Sequence, residues 1–159
     1  MMPPDLEFSC NQASAPEILE HLALCDSQFV PPLSSRVQLH DYTTKIINRS
    51  LRFEAWVQRR LVGFVAAYCN DQLTHKAFIT HVSVLSPWTG HGIAAMLLKQ
   101  CIDYAKTHEA RQIGLEVGKD NQAAINLYKK FEFNEESTNN EFVTMKLNLT
   151  DEAKHEQSA

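Results

Sequence analysis

The chain has 159 residues, 44% of them apolar and 21% charged, with a net charge of −4 at neutral pH. That length and apolar content suit a single domain with its own core, and they exclude a disordered chain, which needs low hydrophobicity or a far larger net charge. No basic excess exists to neutralise a phosphate backbone, so nucleic acid is not expected as a partner.

Ala15 to Cys25 places Ile18, Leu19, Leu22 and Cys25 at helical spacing, with Ser14 as N-cap and Pro16 in the first turn. Pro31-Pro32 ends any helix and forces an extended path through Ser34 and Ser35. Helical spacing resumes over Leu39 to Arg49. Leu51 to Val57 alternates apolar and polar residues as a half-buried strand does. Gln58-Arg59-Arg60 connects it to an apolar strand, Leu61 to Cys69, in an antiparallel hairpin, although these are not favoured turn residues. A third strand runs from Lys76 to Leu85 and stops at Ser86-Pro87. Thr89 to Thr107 is predicted as a long amphipathic helix and Gln112 to Val117 as a strand. Asp120 is expected to cap a helix that continues through Phe131. Two final strands, Phe133 to Thr138 and Phe142 to Leu149, meet at Asn139-Asn140, a pair that tolerates the positive φ of tight hairpins. The expected fold is of the α/β (α+β) type: a mixed, mostly antiparallel twisted sheet of six to seven strands flanked by about four helices. It would occupy residues 1–149 as one domain, with a polar tail over 150–159.

Met1 to Glu7 lack the basic start and apolar middle of a secretory leader, and the longest apolar run is far short of a membrane span. No membrane partner is expected, and a cytoplasmic location is. Cys10, Cys25, Cys69 and Cys101 are widely spaced with no C-x-x-C pair, which reads as reduced thiols. His75, His91 and His108 have no spacing that suggests a metal site, so no metal is expected.

The segment that points to chemistry is Val82-Ser83-Val84-Leu85-Ser86-Pro87-Trp88-Thr89-Gly90-His91-Gly92-Ile93-Ala94. A buried strand breaks at proline and enters a glycine-bearing turn that opens a long helix. Such a turn aims backbone N–H groups at one spot with the positive helix end behind them, and glycines keep side chains out of the way. A phosphate or pyrophosphate is the expected guest. A Walker loop is excluded because no Gly-Lys-Ser/Thr follows. Gly90 to Ala95 matches a dinucleotide fingerprint, with Glu116 near the expected acidic position, but too little chain follows Gly92 for a two-halved parallel sheet.

The same segment resembles the coenzyme A-binding motif of the GNAT superfamily of N-acetyltransferases, Gln/Arg-x-x-Gly-x-Gly/Ala after a Val-x-Val strand end. Thr89 stands where that family has Gln or Arg. The family's second motif is matched by Leu115-Glu116-Val117, Asn121, Ala124, Leu127-Tyr128 and Phe131-Glu132-Phe133, with Glu132 in the place of a usual glycine. The resemblance covers Leu51 to Leu149. It implies two central strands splayed around acetyl-CoA as co-substrate and direct attack of a primary amine of a small molecule on the thioester, without an acyl-enzyme. Val82, Val84, Thr89, Gly90, His91, Gly92, Ile93, Ala94 and Asn121 would hold the cofactor, and Tyr128 would protonate the departing thiolate.

His81 and Glu116 are the two candidates for general base, and strand alternation puts His81 and Ser83 on the face opposite Val82 and Val84. Arg36 and Ser34, in the connection between the first two helices, are candidates for contact with the acceptor, because a guanidinium pairs with carboxylate or phosphate. Edge-strand pairing would permit a homodimer, which nothing in the sequence demands. Two other classes stay open: a non-catalytic acyl-CoA-binding sensor on the same fold, and an NAD(P)-dependent oxidoreductase.

Overall fold

A computed structural model describes residues 3–69 and 71–149, so the expected polar tail lies outside the described residues. The elements in chain order are β1 (Leu6–Cys10), α1 (Ala15–Cys25), α2 (Leu39–Arg49), β2 (Leu51–Val57), β3 (Arg60–Tyr68), β4 (Lys76–Val84), α3 (Ile93–Thr107), β5 (Gln112–Gly118), α4 (Gln122–Lys130), β6 (Asn134–Thr138) and β7 (Phe142–Asn148). The strands form one sheet in the order β1-β2-β3-β4-β5-β7-β6. Every neighbouring pair is antiparallel except β4 and β5, joined by the α3 crossover. A single parallel pair cannot build a doubly wound dinucleotide fold, which removes the structural basis of the oxidoreductase reading.

Strand β1 was not expected from the sequence. Leu6-Glu7-Phe8-Ser9-Cys10 does alternate, but it is a short edge strand and mostly exposed, so burial adds little to its signal. It is fixed from beside: Glu54 on β2 is fully buried and accepts hydrogen bonds from the Ser9 hydroxyl and from the Gln12 and Ala13 amides.

Helices α1, α2 and α4 begin where side chains can satisfy their first N–H groups. Ser14 and Glu17 form a capping box on α1, and Gln38 caps α2. Asn121, not Asp120, caps α4 through its side-chain oxygen and the Ala124 amide. The long helix starts at Ile93 rather than Thr89, because Ser86–Trp88 form a short 3-10 turn first. In the hairpin between β2 and β3, Gln58 and Arg59 both take positive φ, 49° and 66°, the backbone of a two-residue turn usually given to Asn-Gly. At the β6–β7 turn no positive φ is needed. The Asn139 side chain instead accepts from the Glu141 and Phe142 amides.

The sheet separates two cores. On one face α3 and α4 pack over residues such as Val62, Val65, Ile79, Leu115 and Met145. On the other, α1 and α2 cover Leu61, Phe64 and Ala66. Ala66 pairs with His81 but Ala67 pairs with Ile79, so Thr80 is an extra residue in β4. This bulge reverses the alternation midway: Ala77 and Ile79 point into the α3 core, while His81 and Ser83 turn to α1 and α2.

Candidate active site

Strands β4 and β5 pair only from Lys76–Ile79 against Gln112–Leu115, and beyond Ile79 they diverge. The gap becomes a cleft of about 700 Å³ whose walls include Val82, Val84, Thr89, Ala94, Glu116, Asn121 and Tyr128. It thus brings most of the residues singled out by the sequence to one place. The wedge follows from the bulge at Thr80, which turns β4 away from β5. The Val84 carbonyl, at the strand end, accepts a hydrogen bond from the Gln28 amide at 2.9 Å, while the Gln28 oxygen accepts from the Ser86 amide at 3.0 Å. Gln28 therefore holds the strand exit in place. The sequence offered no sign of this, since Gln28 lies far from β4 along the chain.

Thr89 and Ala94 line the cleft, whereas Gly90, His91, Gly92 and Ile93 between them do not. Helix α3 begins in this stretch on Gly92, whose φ of 78° belongs to glycine, as does the 82° of Gly90. Unlike α1, α2 and α4, α3 has no side-chain cap. Its first-turn N–H groups have no intrahelical partner either. The Ile93 side chain is buried in the core, so this residue can offer the cleft only its backbone. Thr89 spends its hydroxyl hydrogen on the Ser86 carbonyl, 2.8 Å away. The left-handed conformation of a usual glycine position after α4 is kept by Glu132, with φ 73°, at a cost of about 1 kcal/mol.

Tyr128 is buried beside the Phe133 ring, 5.8 Å between centroids, and lines the cleft. Burial pushes its phenol above the ordinary value, so the proton is held firmly. On the other wall the connection from α1 to α2 reaches over the splayed strands. It docks where a Cβ at Gly118 would come within 3.1 Å of the Val30 carbonyl oxygen. Arg36 Nη2 lies 3.7 Å from Glu116 Oε1, and the guanidinium stacks 4.0 Å above the Phe142 ring. Ser34 does not line the cleft. Its amide and hydroxyl both donate to Asp26 at 2.6 Å, which stiffens the segment that carries Arg36.

The two base candidates sit in different surroundings. Glu116 is half-exposed in the cleft. His81 is 4% exposed, stacked 4.6 Å from Phe64, and hydrogen-bonded to Ser83. Burial lowers His81 to about 3 and, on α1, His21 to about 4. Neither ring is then a useful proton acceptor from an ammonium at neutral pH. His21 occupies a core position on the buried stripe of α1 with Ile18, Leu22 and Cys25. In the sequence the signal for it is a histidine that breaks the apolar stripe of Ile18, Leu22 and Cys25.

Both depressed values carry a stability consequence. In the unfolded chain these imidazoles protonate near 6.5, whereas the folded protein takes up neither proton until about 4 and 3. Stability should therefore fall as pH drops below about 6.5, by the order of 3 kcal/mol between pH 7 and pH 5 if both act. Urea unfolding at the two pH values checks this, and His81→Gln should remove about half of the difference.

The Acetyltransferase (GNAT) family model matches residues 15–133. The chain belongs to the GNAT acetyltransferase family. Among relatives of this GNAT chain, an uncharacterized N-acetyltransferase of Methanocaldococcus jannaschii is 36% identical over 87 residues, covering 52% of this chain and 38% of that protein. An N-alpha-acetyltransferase of Sulfolobus acidocaldarius is 39% identical over 64 residues, 40% of this chain and 38% of that one. These matches span well under half of either relative's length. In fold, the chain is similar to the PaiA N-acetyltransferase of Thermoplasma acidophilum, solved in complex with coenzyme A. That likeness has a TM-score of 0.73 and 16% identity and covers 89% of this chain and 99% of that one. The likeness carries the fold. Among the described residues no helix is long and apolar enough to cross a membrane.

Proposed function

We propose that this GNAT protein transfers the acetyl group of acetyl-CoA to a primary amine by direct attack. The observation that carries the reading is the uncapped, glycine-led start of α3, flanked by Thr89 and Ala94 of a cleft that also holds Tyr128 and Glu116. The pyrophosphate of the cofactor sits on the first-turn amides, and the pantetheine arm runs beside Val82 and Val84 between β4 and β5. Asn121, its oxygen engaged in the α4 cap, has its amide hydrogens left for the cofactor.

The amine enters from the side of Arg36 and Glu116. The ammonium first loses one proton to solvent. As the nitrogen–carbon bond forms, Glu116 takes a second proton from the nitrogen, the carbon–sulfur bond breaks, and Tyr128 supplies the thiolate with a proton that solvent later replaces. Arg36 pairs with a carboxylate or other acidic group on the acceptor, exchanging its contact with Glu116 for one with the substrate. A lysine-like amine must lose a proton held near 10.4, whereas an α-amine near 8 costs about 3 kcal/mol less, so acceptors of the amino-acid type are favoured. The α-amine that begins a protein chain is a second acceptor class. It is supported by the name of the Sulfolobus relative and by the part-exposed Arg36 on the cleft wall.

A panel of alanine, alaninamide, an alanine-initiated peptide, glucosamine and spermidine, with free thiol followed from acetyl-CoA, tests the reading. Turnover of at least one amine above the enzyme-free rate is expected, and Glu116→Gln should slow it about 100-fold. Preference for the peptide over free alanine would favour the protein acceptor. Tight acetyl-CoA binding without turnover of any amine would favour the non-catalytic sensor.

A further inference from the structure

Two buried imidazoles are joined through one hydroxyl, and only one arrangement of protons satisfies them. His21 Nδ1 lies 2.8 Å from the Leu61 carbonyl oxygen, which only accepts, so Nδ1 carries the hydrogen. In a neutral ring His21 Nε2 is then a lone pair, and the Ser83 hydroxyl 2.7 Å away donates to it. That hydroxyl has a single hydrogen. Its 2.7 Å contact with His81 Nε2 therefore requires His81 to donate. His81 thus holds its proton on Nε2 and leaves Nδ1 as a bare lone pair, a tautomer dictated by a backbone carbonyl of β3.

Among the described residues the hydrogen-bonding neighbour of that lone pair is the Tyr42 hydroxyl at 3.5 Å, whose own hydrogen goes to the Thr80 carbonyl at 2.9 Å. The lone pair is left without a committed donor, and His81, Tyr42 and Thr80 all belong to the cleft wall. We propose that His81 Nδ1 accepts an N–H of the incoming amine and so aims its nitrogen at the thioester, with Ser83 and His21 as positioning residues that hold His81 in the required tautomer. This rests on the acetyl-transfer reading and gives His81 a role other than base.

The groups facing the pair are Cys25 on α1, Phe29 in the connection from α1 to α2, Tyr42 on α2 and Phe64 on β3. None is charged in the neutral range: burial holds Cys25 up at about 11 and Tyr42 at about 12. The lone pair of His81 is therefore available wherever the amine is. The ligand atoms of His21, Cys25 and His81 also lie within 4.8 Å of one another, a set zinc could accept. Both Nε2 atoms are nevertheless already satisfied by Ser83, which favours the hydrogen-bonded chain.

The test uses the full chain labelled with [15N]histidine. From about pH 5 to about pH 8, His21 should remain the Nδ1–H form and His81 the Nε2–H form. Ser83→Ala should release His81 to a mixture of tautomers and lower kcat/KM for the best amine of the panel about tenfold, with acetyl-CoA affinity unchanged. Ser83→Thr, which keeps the hydroxyl, should restore both. His81 protonating near its ordinary value, or Ser83→Ala matching the parent toward the amine, overturns the proposal. Stoichiometric zinc that is lost in Cys25→Ser overturns it in favour of a metal site. If no amine turns over, the acetyl-transfer reading fails by itself, and the label still decides. Alaninamide added to the CoA-saturated protein should then move the His81 Nδ1 resonance, and an unmoved resonance overturns the proposal.

Discussion

Tyr128→Phe should reduce kcat about 10²- to 10⁴-fold while leaving the fold and acetyl-CoA binding intact. The ring is buried against Phe133, and the variant keeps every carbon of it, so packing is conserved and the hydroxyl alone is removed. That hydroxyl faces a demanding task. A free phenol near 10 giving its proton to a thiol near 8.5 already works uphill by about 2 kcal/mol. Burial pushes the Tyr128 phenol further up, which adds to that cost. Its contribution is then a hydrogen bond that strengthens as negative charge gathers on sulfur, with transfer completed only as the carbon–sulfur bond opens. Because Tyr128 stays protonated over the working range, the basic limb of the rate profile should not carry its signature. Steady-state thiol release and calorimetry with acetyl-CoA measure the two halves separately. A kcat for Tyr128→Phe within about twofold of the parent would make Tyr128 a packing residue and sink its assignment as the acid.

Gly92→Asp should weaken acetyl-CoA binding by about 100-fold or more, with much smaller effects on thermal stability. The residue begins α3 at φ 78°, where a side chain costs about 1 kcal/mol. An aspartate there also offers its own carboxylate to the first-turn amides, as N-cap residues do. It would occupy the donors that the pyrophosphate needs and repel that anion as well. Gly92→Asn separates the causes, since it tolerates the same backbone and can cap but carries no charge. Calorimetric titration should place it between the parent and the aspartate variant. An aspartate variant that binds acetyl-CoA like the parent would sink the assignment of the α3 start as the anion site.

The sequence by itself determined most of the elements and the glycine turn that leads into α3, though not the residue at which the helix begins. Helical spacing, proline breaks and strand alternation are local properties, and a glycine turn between a strand and a helix carries its anion chemistry with it. Tyr128 and Glu116 were legible for the same reason, through short motifs of contiguous chain. What only the tertiary structure decided depends on residues distant in sequence. The β4 bulge, unmarked by any glycine, appears only when Ala66 and Ala67 are paired with His81 and Ile79. The withdrawal of Ser34 from the cleft depends on Asp26, and the cap of α4 shifted from Asp120 to its neighbour because only Asn121 reaches the Ala124 amide. Above all, the protonation of His81 is set by burial and by a hydrogen-bond chain that ends on Leu61 of another strand. Desolvation and proton placement are properties of an assembled environment, and no local pattern in a chain encodes them.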